Sequence, residues 1–196
     1  MRMFIKQLTS IIFVSAIVLT LQSHMVHCTS ELDHFIYGTP PTTEGILKKD
    51  FYGQAVNLLP ICCVDIFIYN PSDKSYFMVR RTTPPGVGVW WLPGGRLFKG
   101  ESFIQCALRK CKDEVGLSVT PCALLGVYST VFDTSAWKCP THTVNIAVLA
   151  FCDNSYSAKL DNNHDQYRWV SLEEVPEDTY IKQVYYAALA KLSKEY

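Results

Sequence analysis

The sequence carries no net charge, since 18 lysines plus arginines balance 18 aspartates plus glutamates. No bulk field therefore draws the protein to nucleic acid or an anionic membrane, and any anionic ligand must be held by local charges. No Cys-x-x-Cys pair occurs, which argues against a structural zinc site. An Asn-x-Ser/Thr acceptor is also missing, because Asn70 is followed by Pro71, and this counts mildly against a secreted chain. There is no repeat period and no low-complexity stretch. What remains, 196 residues that are 48% hydrophobic and 18% charged, suits one globular domain of roughly 150 residues plus an extension.

The extension lies at the N-terminus. Arg2 and Lys6 precede an apolar run from Ile11 to Leu21, and Val26-His27-Cys28 follows. A basic head, a short apolar middle and a small-residue exit describe a signal peptide over residues 1–28, which implies secretion or the lumen of the secretory pathway. The run falls short of the about 20 apolar residues of a comfortable membrane span. An uncleaved anchor over residues 8–22 is the alternative, and Met25 offers an internal start. Cleavage after Cys28 leaves seven of the eight cysteines, an odd number with at least one free thiol. Most sit in apolar contexts and read as small core residues.

Residues 29–45 are polar, with Pro40-Pro41, and read as a linker into a domain over 46–196. Ile61 to Tyr69 is apolar and β-branched and predicts a buried strand. Asn70-Pro71-Ser72-Asp73 is a turn, and Tyr76 to Arg81 returns as a second strand. A long loop from Thr82 to Gly95 leads to the clearest helix, Glu101 to Val115, whose apolar residues recur at helical spacing until Gly116 stops it. Further strands are expected at 124–132, 144–151 and 167–170. Ser171 with Glu174 has the spacing of a capping box, ahead of a closing helix over about 178–192. Strands interleaved with two helices predict a mixed α/β fold, its mixed sheet covered on both faces.

One segment carries chemistry. Gly95 is followed six residues on by Glu101 and, eight after that, by Arg109, with Asp113-Glu114 and Gly116-Leu117 closing the stretch. On an α-helix, positions 110, 113 and 114 share a face. Carboxylates there, with Glu101 near, make a hard-oxygen site for magnesium, or manganese in its place. Such an ion bridges diphosphate oxygens and neutralises charge developing on the leaving group. Gly94 and Gly95 let the backbone approach closely and offer a carbonyl ligand. Arg109 can orient Glu101 through a charge-assisted bond. A plain amphipathic helix also carries scattered acids, but not five fixed positions in register after Pro93-Gly94-Gly95.

This pattern resembles the Nudix box: Gly, five residues, Glu, seven residues, Arg-Glu, an aliphatic, any residue, Glu-Glu, any residue, Gly, an aliphatic. The resemblance implies the Nudix fold, an α/β/α sandwich in which a loop, helix and loop stand beside a mixed sheet. It is also altered, with Lys110 where the family usually has Glu, and Asp113 in place of another Glu. Lys110 puts a positive charge on the expected metal face and can pair with Glu114 at i, i+4. Fewer carboxylates imply fewer ions.

The sequence further resembles the GDP-mannose mannosyl hydrolase branch of that family over about three quarters of its length, 46–192. The matching segments are Val64-Asp65-Ile66, the run from Arg80 to Pro85, Trp90 to Arg96, Leu125 to Tyr128, Thr141-His142-Thr143 and Asn162 to Trp169. The resemblance implies a nucleotide-sugar substrate and attack of water on the anomeric carbon, releasing GDP and free sugar. It makes His164 the general base, and Asp65 a group that orients the water or sugar. Arg81, Arg96 and Arg109 would stabilise the departing diphosphate. Glu114, the Gly94 or Gly95 carbonyl and the Asn163 side chain would hold magnesium, with Asn163 shorter than the glutamine usual there. Related enzymes often pair through their N-terminal part, which implies a homodimer. Two other readings stay open: attack at phosphorus of a nucleotide sugar or other diphosphate, and a nucleotide-binding protein whose catalysis has decayed.

Overall fold

The computed structural model describes residues 34–37, 49–152 and 157–195. The signal peptide or anchor, and the linker apart from 34–37, lie outside the described residues. No helix among the described residues is long and apolar enough to cross a membrane.

The chain enters the domain as helix α1 (Lys49–Leu58), followed by strands β1 (Ile61–Asn70), β2 (Ser75–Arg81), β3 (Trp90–Trp91) and β4 (Gly94–Arg96). Helix α2 (Phe103–Lys110) runs on into a π-helical turn over Cys111–Val115. Strands β5 (Thr120–Phe132), β6 (Thr141–Phe151) and β7 (His164–Ser171) precede the closing helix α3 (Thr179–Glu195).

All seven strands form one mixed sheet in the order β3-β2-β1-β6-β5, with β4 pairing β1 and β7 pairing β2. β1 and β6 are parallel, and the connection that crosses between them carries α2; the other pairs are antiparallel. Side chains alternate across a strand, so β1 feeds both faces. Val64, Ile66 and Ile68 join Phe77, Val79 and the buried side of α2 in one core, with Cys106, Ala107, Cys111 and Val115. Phe67 and Tyr69 join Tyr76, Met78, Leu149 and the α3 residues Ile181, Val184, Tyr185 and Ala188 in the other. The result is the expected α/β/α layering. All seven described cysteines are free thiols, and Cys106, Cys111, Cys122 and Cys152 are buried, as their apolar contexts imply.

Several element boundaries differ from the sequence reading. The helix expected from Glu101 begins at Phe103, because Ser102 takes the cap. Its hydroxyl accepts from the Gln105 N–H at 3.1 Å while the Gln105 side chain accepts from the Ser102 N–H at 2.8 Å. Ser171 and Glu174 form a turn instead of a helix cap, with the Glu174 N–H donating to the Ser171 carbonyl at 2.9 Å. Pro176 follows, and α3 is capped by Asp178, whose carboxylate accepts from the Ile181 N–H at 3.0 Å. β6 and β7 start three residues before the expected point, where polar residues hide the strand pattern, and β5 starts four before it, across Pro121, where ladder pairing still forms. Helix α1 was not foreseen. Its apolar residues at 51, 52, 55, 56 and 58 carry a helical period that the short span left unnoticed.

Candidate active site

β1, the loop after β2, β4, the π-turn and the start of β7 converge on a cavity of about 600 Å³. Asp65, Arg81, Gly94, Gly95, Arg96, Glu114, Asn163 and His164 line it. Glu101, Arg109 and Asp113 do not.

Asp65 sits mid-strand on β1, paired in register with Gly94. It is buried, and its Oδ2 accepts from Asn145 Nδ2 at 2.7 Å and from the Tyr180 hydroxyl at 2.6 Å. Burial pushes its carboxyl above the ordinary 3.8, and those two donors hold it back only in part. Between the unfolded value and the raised folded one, the folded state binds more protons, so stability falls as pH rises through that window. Asp65→Asn keeps an acceptor for both donors and removes the titration. Urea midpoints measured from pH 4 to pH 7.5 should therefore show the variant gaining on the parent as pH rises.

Gly94 has no room for a side chain, because a Cβ there would meet the Val64 carbonyl and stand 2.6 Å from Asp65 Oδ1. This close approach brings the β4 backbone against the buried acid. Arg81 and Arg80 point to opposite sides of β2. Arg80 binds Asp165 outside at 2.6 Å, whereas Arg81 faces the cavity and donates through Nε to the Pro85 carbonyl at 2.7 Å. Burial lowers the Arg81 pKa, against the attraction of Asp65 and Glu114. A bulge in the β2–β7 ladder pairs Arg81 with His164. Both residues line the cavity.

His164 is 9% exposed, and its Nδ1 lies 2.7 Å from Asp161 Oδ1. In the neutral ring this contact puts the proton on Nδ1 and the lone pair on Nε2. Asp161 also accepts from the Asn163 N–H at 3.0 Å and Nδ2 at 2.7 Å, so the three residues brace one another. The sequence reading passed over Asp161, although its i, i+3 spacing to His164 was a usable signal. Asn145 and Tyr180, the partners of Asp65, carried no local signal at all.

Arg109 and Glu101 form a two-pronged pair behind the cavity wall, Nε to Oε1 at 2.6 Å and an Nη to Oε2 at 2.8 Å. Glu101 Oε2 also accepts from the Phe98 N–H at 2.9 Å. Burial raises the Glu101 pKa, but the Arg109 and Phe98 hydrogen bonds outweigh it and the net shift is downward. Arg96 lies over the Tyr52 ring of α1 at 4.2 Å, so the unforeseen helix supplies one wall of the site.

The π-turn separates the two acids that the sequence placed together. Helical spacing puts 113 beside 110 and 114, but the widened turn leaves Asp113 exposed and buries Glu114. Glu114 Oε2 accepts from the Gly94 N–H at 3.1 Å, and its Oε1 lies 2.7 Å from Lys110 Nζ. Glu114 stands 7% exposed, a nearly buried carboxylate already paired with a cation.

The Nudix domain model matches residues 62–192. The chain belongs to the Nudix family. Among curated proteins, the low-salt glycan biosynthesis protein Agl8 of Haloferax volcanii is 30% identical over 95 residues, 48% of this chain and 58% of that protein. An ADP-ribose pyrophosphatase of Methanocaldococcus jannaschii is 32% identical over 95 residues, covering 48% and 55%. The chain thus matches little more than half the length of these relatives. Of solved structures, a MutT protein from Methanosarcina mazei superposes with a TM-score of 0.55 at 24% identity, over 69% of this chain and 96% of that one. An Ap4A hydrolase of C. elegans gives 0.54 at 18%, over 68% and 98%. These likenesses bear out the fold read from the sequence.

Nudix hydrolases generally work with a divalent metal, and the donor set here can be tested against one. Among the described residues, no three His, Cys, Asp or Glu side chains are grouped to hold an ion. Glu101 is spent on Arg109, Asp113 points to solvent, and Glu114 is held by an ammonium. Asn163 donates through Nδ2 to Asp161 and offers a cation only its neutral amide oxygen. Magnesium usually rests on one or two carboxylates plus substrate oxygens. With Lys110 closed on Glu114, this Nudix site does not fit a pre-seated ion.

Proposed function

We propose that this Nudix domain hydrolyses a nucleoside diphosphate sugar of the GDP-mannose kind, with water attacking the anomeric carbon to release nucleoside diphosphate and free sugar. The observation that carries the reading is His164, anchored through Nδ1 to Asp161 and lining the same cavity as Asp65, Arg81 and Arg96. Its Nε2 lone pair takes the proton of the attacking water, and the oxygen of that water joins the sugar carbon as the carbon–oxygen bond to the diphosphate breaks. Arg81 and Arg96 receive the charge that develops on the leaving diphosphate. Asp65, held by Asn145 and Tyr180, orients the water or a sugar hydroxyl. Arg109 and Glu101 act from behind, by fixing the end of β4, which carries Arg96. The name of the Haloferax volcanii relative, a glycan biosynthesis protein, supports a sugar-linked substrate.

A second reading is attack at phosphorus, favoured by the relative named an ADP-ribose pyrophosphatase and the neighbour titled an Ap4A hydrolase. Products separate the two. Incubation of the chain with GDP-mannose in oxygen-18 water should put label in free mannose and leave GDP unlabelled. Label in GMP or mannose phosphate would establish phosphorus attack and remove the base role from His164. A chain with the leader implied for residues 1–28 would meet such substrates in the secretory lumen, where nucleotide sugars feed glycosylation. Pairing of two copies through α1, whose Phe51 and Leu58 are exposed, belongs to the same reading.

A further inference from the structure

The mismatch between this site and a divalent ion has a specific cause, the side chain of Lys110. It is one helical turn from Glu114, and its Nζ lies 2.7 Å from Glu114 Oε1 with only 19% of the side chain exposed. The same ammonium caps the β4 backbone, since a Cβ built on Gly95 would stand 2.8 Å from it and 3.8 Å from Glu114 Oε1. The space between the Gly95 backbone and the Glu114 carboxylate is therefore filled by a positive charge belonging to the chain. Lys110 lines the cavity together with Arg81 and Arg96, so the charge faces the same volume that a diphosphate would enter. Glu114 is fixed from its other oxygen by the Gly94 N–H at 3.1 Å, which leaves the pair little freedom to open.

We propose that the Lys110 ammonium is the resident cation of this site, occupying the seat of a divalent ion on Glu114 and pairing with the diphosphate oxygens of the substrate. The diphosphate half of this inference rests on the function proposed above; the displacement of metal from Glu114 does not. A lysine ammonium offers three donors as a compact point charge, and one of them is spent on Glu114. The remaining donors serve a phosphate oxygen without any exchange of metal water. No bond to Lys110 forms or breaks in this role. It balances charge and holds the leaving group.

Two titrations on the full-length protein test it. In the first, free Mn2+ is counted by electron paramagnetic resonance as protein is added, without nucleotide. The parent protein should leave Mn2+ free, whereas Lys110→Gln, which unlocks Glu114, should bind it at least about tenfold more tightly, and Lys110→Glu more tightly again. Equal Mn2+ binding by parent and both variants would overturn the displacement. In the second, GDP binding is measured by calorimetry in EDTA and in magnesium. The parent should hold GDP within about threefold of the same affinity in both buffers. Lys110→Gln should lose about tenfold in EDTA and recover when Mn2+ is added. Loss of GDP binding by the parent on chelation would overturn the role of Lys110 toward the diphosphate. Absence of GDP binding in either buffer would overturn that role and the nucleotide reading together, while the Mn2+ comparison still decides who occupies Glu114. Unfolding midpoints of both variants, matched to the parent, separate these results from misfolding.

Discussion

Replacing His164 with Gln should lower kcat on a nucleotide sugar by about 10²–10⁴-fold, the span usual for loss of a positioned general base. Under the proposed function the ring serves the transition state and does not hold the diphosphate, so the nucleotide should bind within about twofold as before. Gln retains a donor that can reach Asp161, so the brace between Asp161, Asn163 and the start of β7 should persist. Steady-state kinetics beside direct binding provides the check. Equal losses in kcat and affinity would show that His164 shapes the pocket and does not move the proton. An unchanged kcat would return the reaction to attack at phosphorus, where the Arg81 and Arg96 wall still serves.

Replacing Arg109 with Met should give the largest loss of stability. The change removes two hydrogen bonds from a carboxylate that is largely buried, leaving Glu101 with the Phe98 N–H and the Cys106 thiol. An ionised group left short of partners costs about 2–3 kcal/mol. Arg109 also donates to the Arg96 carbonyl at 3.1 Å and packs its guanidinium over Phe98 at 3.9 Å. Activity should therefore fall with stability, since the Arg96 carbonyl loses its contact from Arg109 at the end of β4. Arg109→Lys should recover little, because an ammonium cannot form the planar two-pronged pair. Urea unfolding midpoints and kcat/KM on the same samples test this. A variant with unaltered stability and intact kinetics would refute the claim that this pair sets the loop.

Glu101 and Arg109 lie eight residues apart, and the box spacing alone paired them. Lys110 and Glu114 were legible in the same way, one helical turn apart. Asp113 departs from its expected place for a local reason: helical periodicity gives it the face of Glu114, and the π-turn turns it to solvent. Asp113 therefore has no place in the cavity, whatever its motif position suggests. His164 and Asp161 are near neighbours in sequence, but their arrival beside Arg81 depends on the β2–β7 pairing and its bulge.

Spacing and hydrophobic period are local properties, and they were enough to give the family, the layering and the helix that carries the box. Composition determined that anion binding must come from individual arginines and lysines, there being no net field to do it. Only the folded chain gives Asp65 its partners, which lie 80 and 115 residues away in Asn145 and Tyr180. It alone brought Tyr52 of α1 under Arg96, and it alone set Lys110 against the Gly95 backbone. The physical reason is the same in each case. A buried charge must find its counterpart wherever the packed sheet brings one within reach, and no local pattern records that distance.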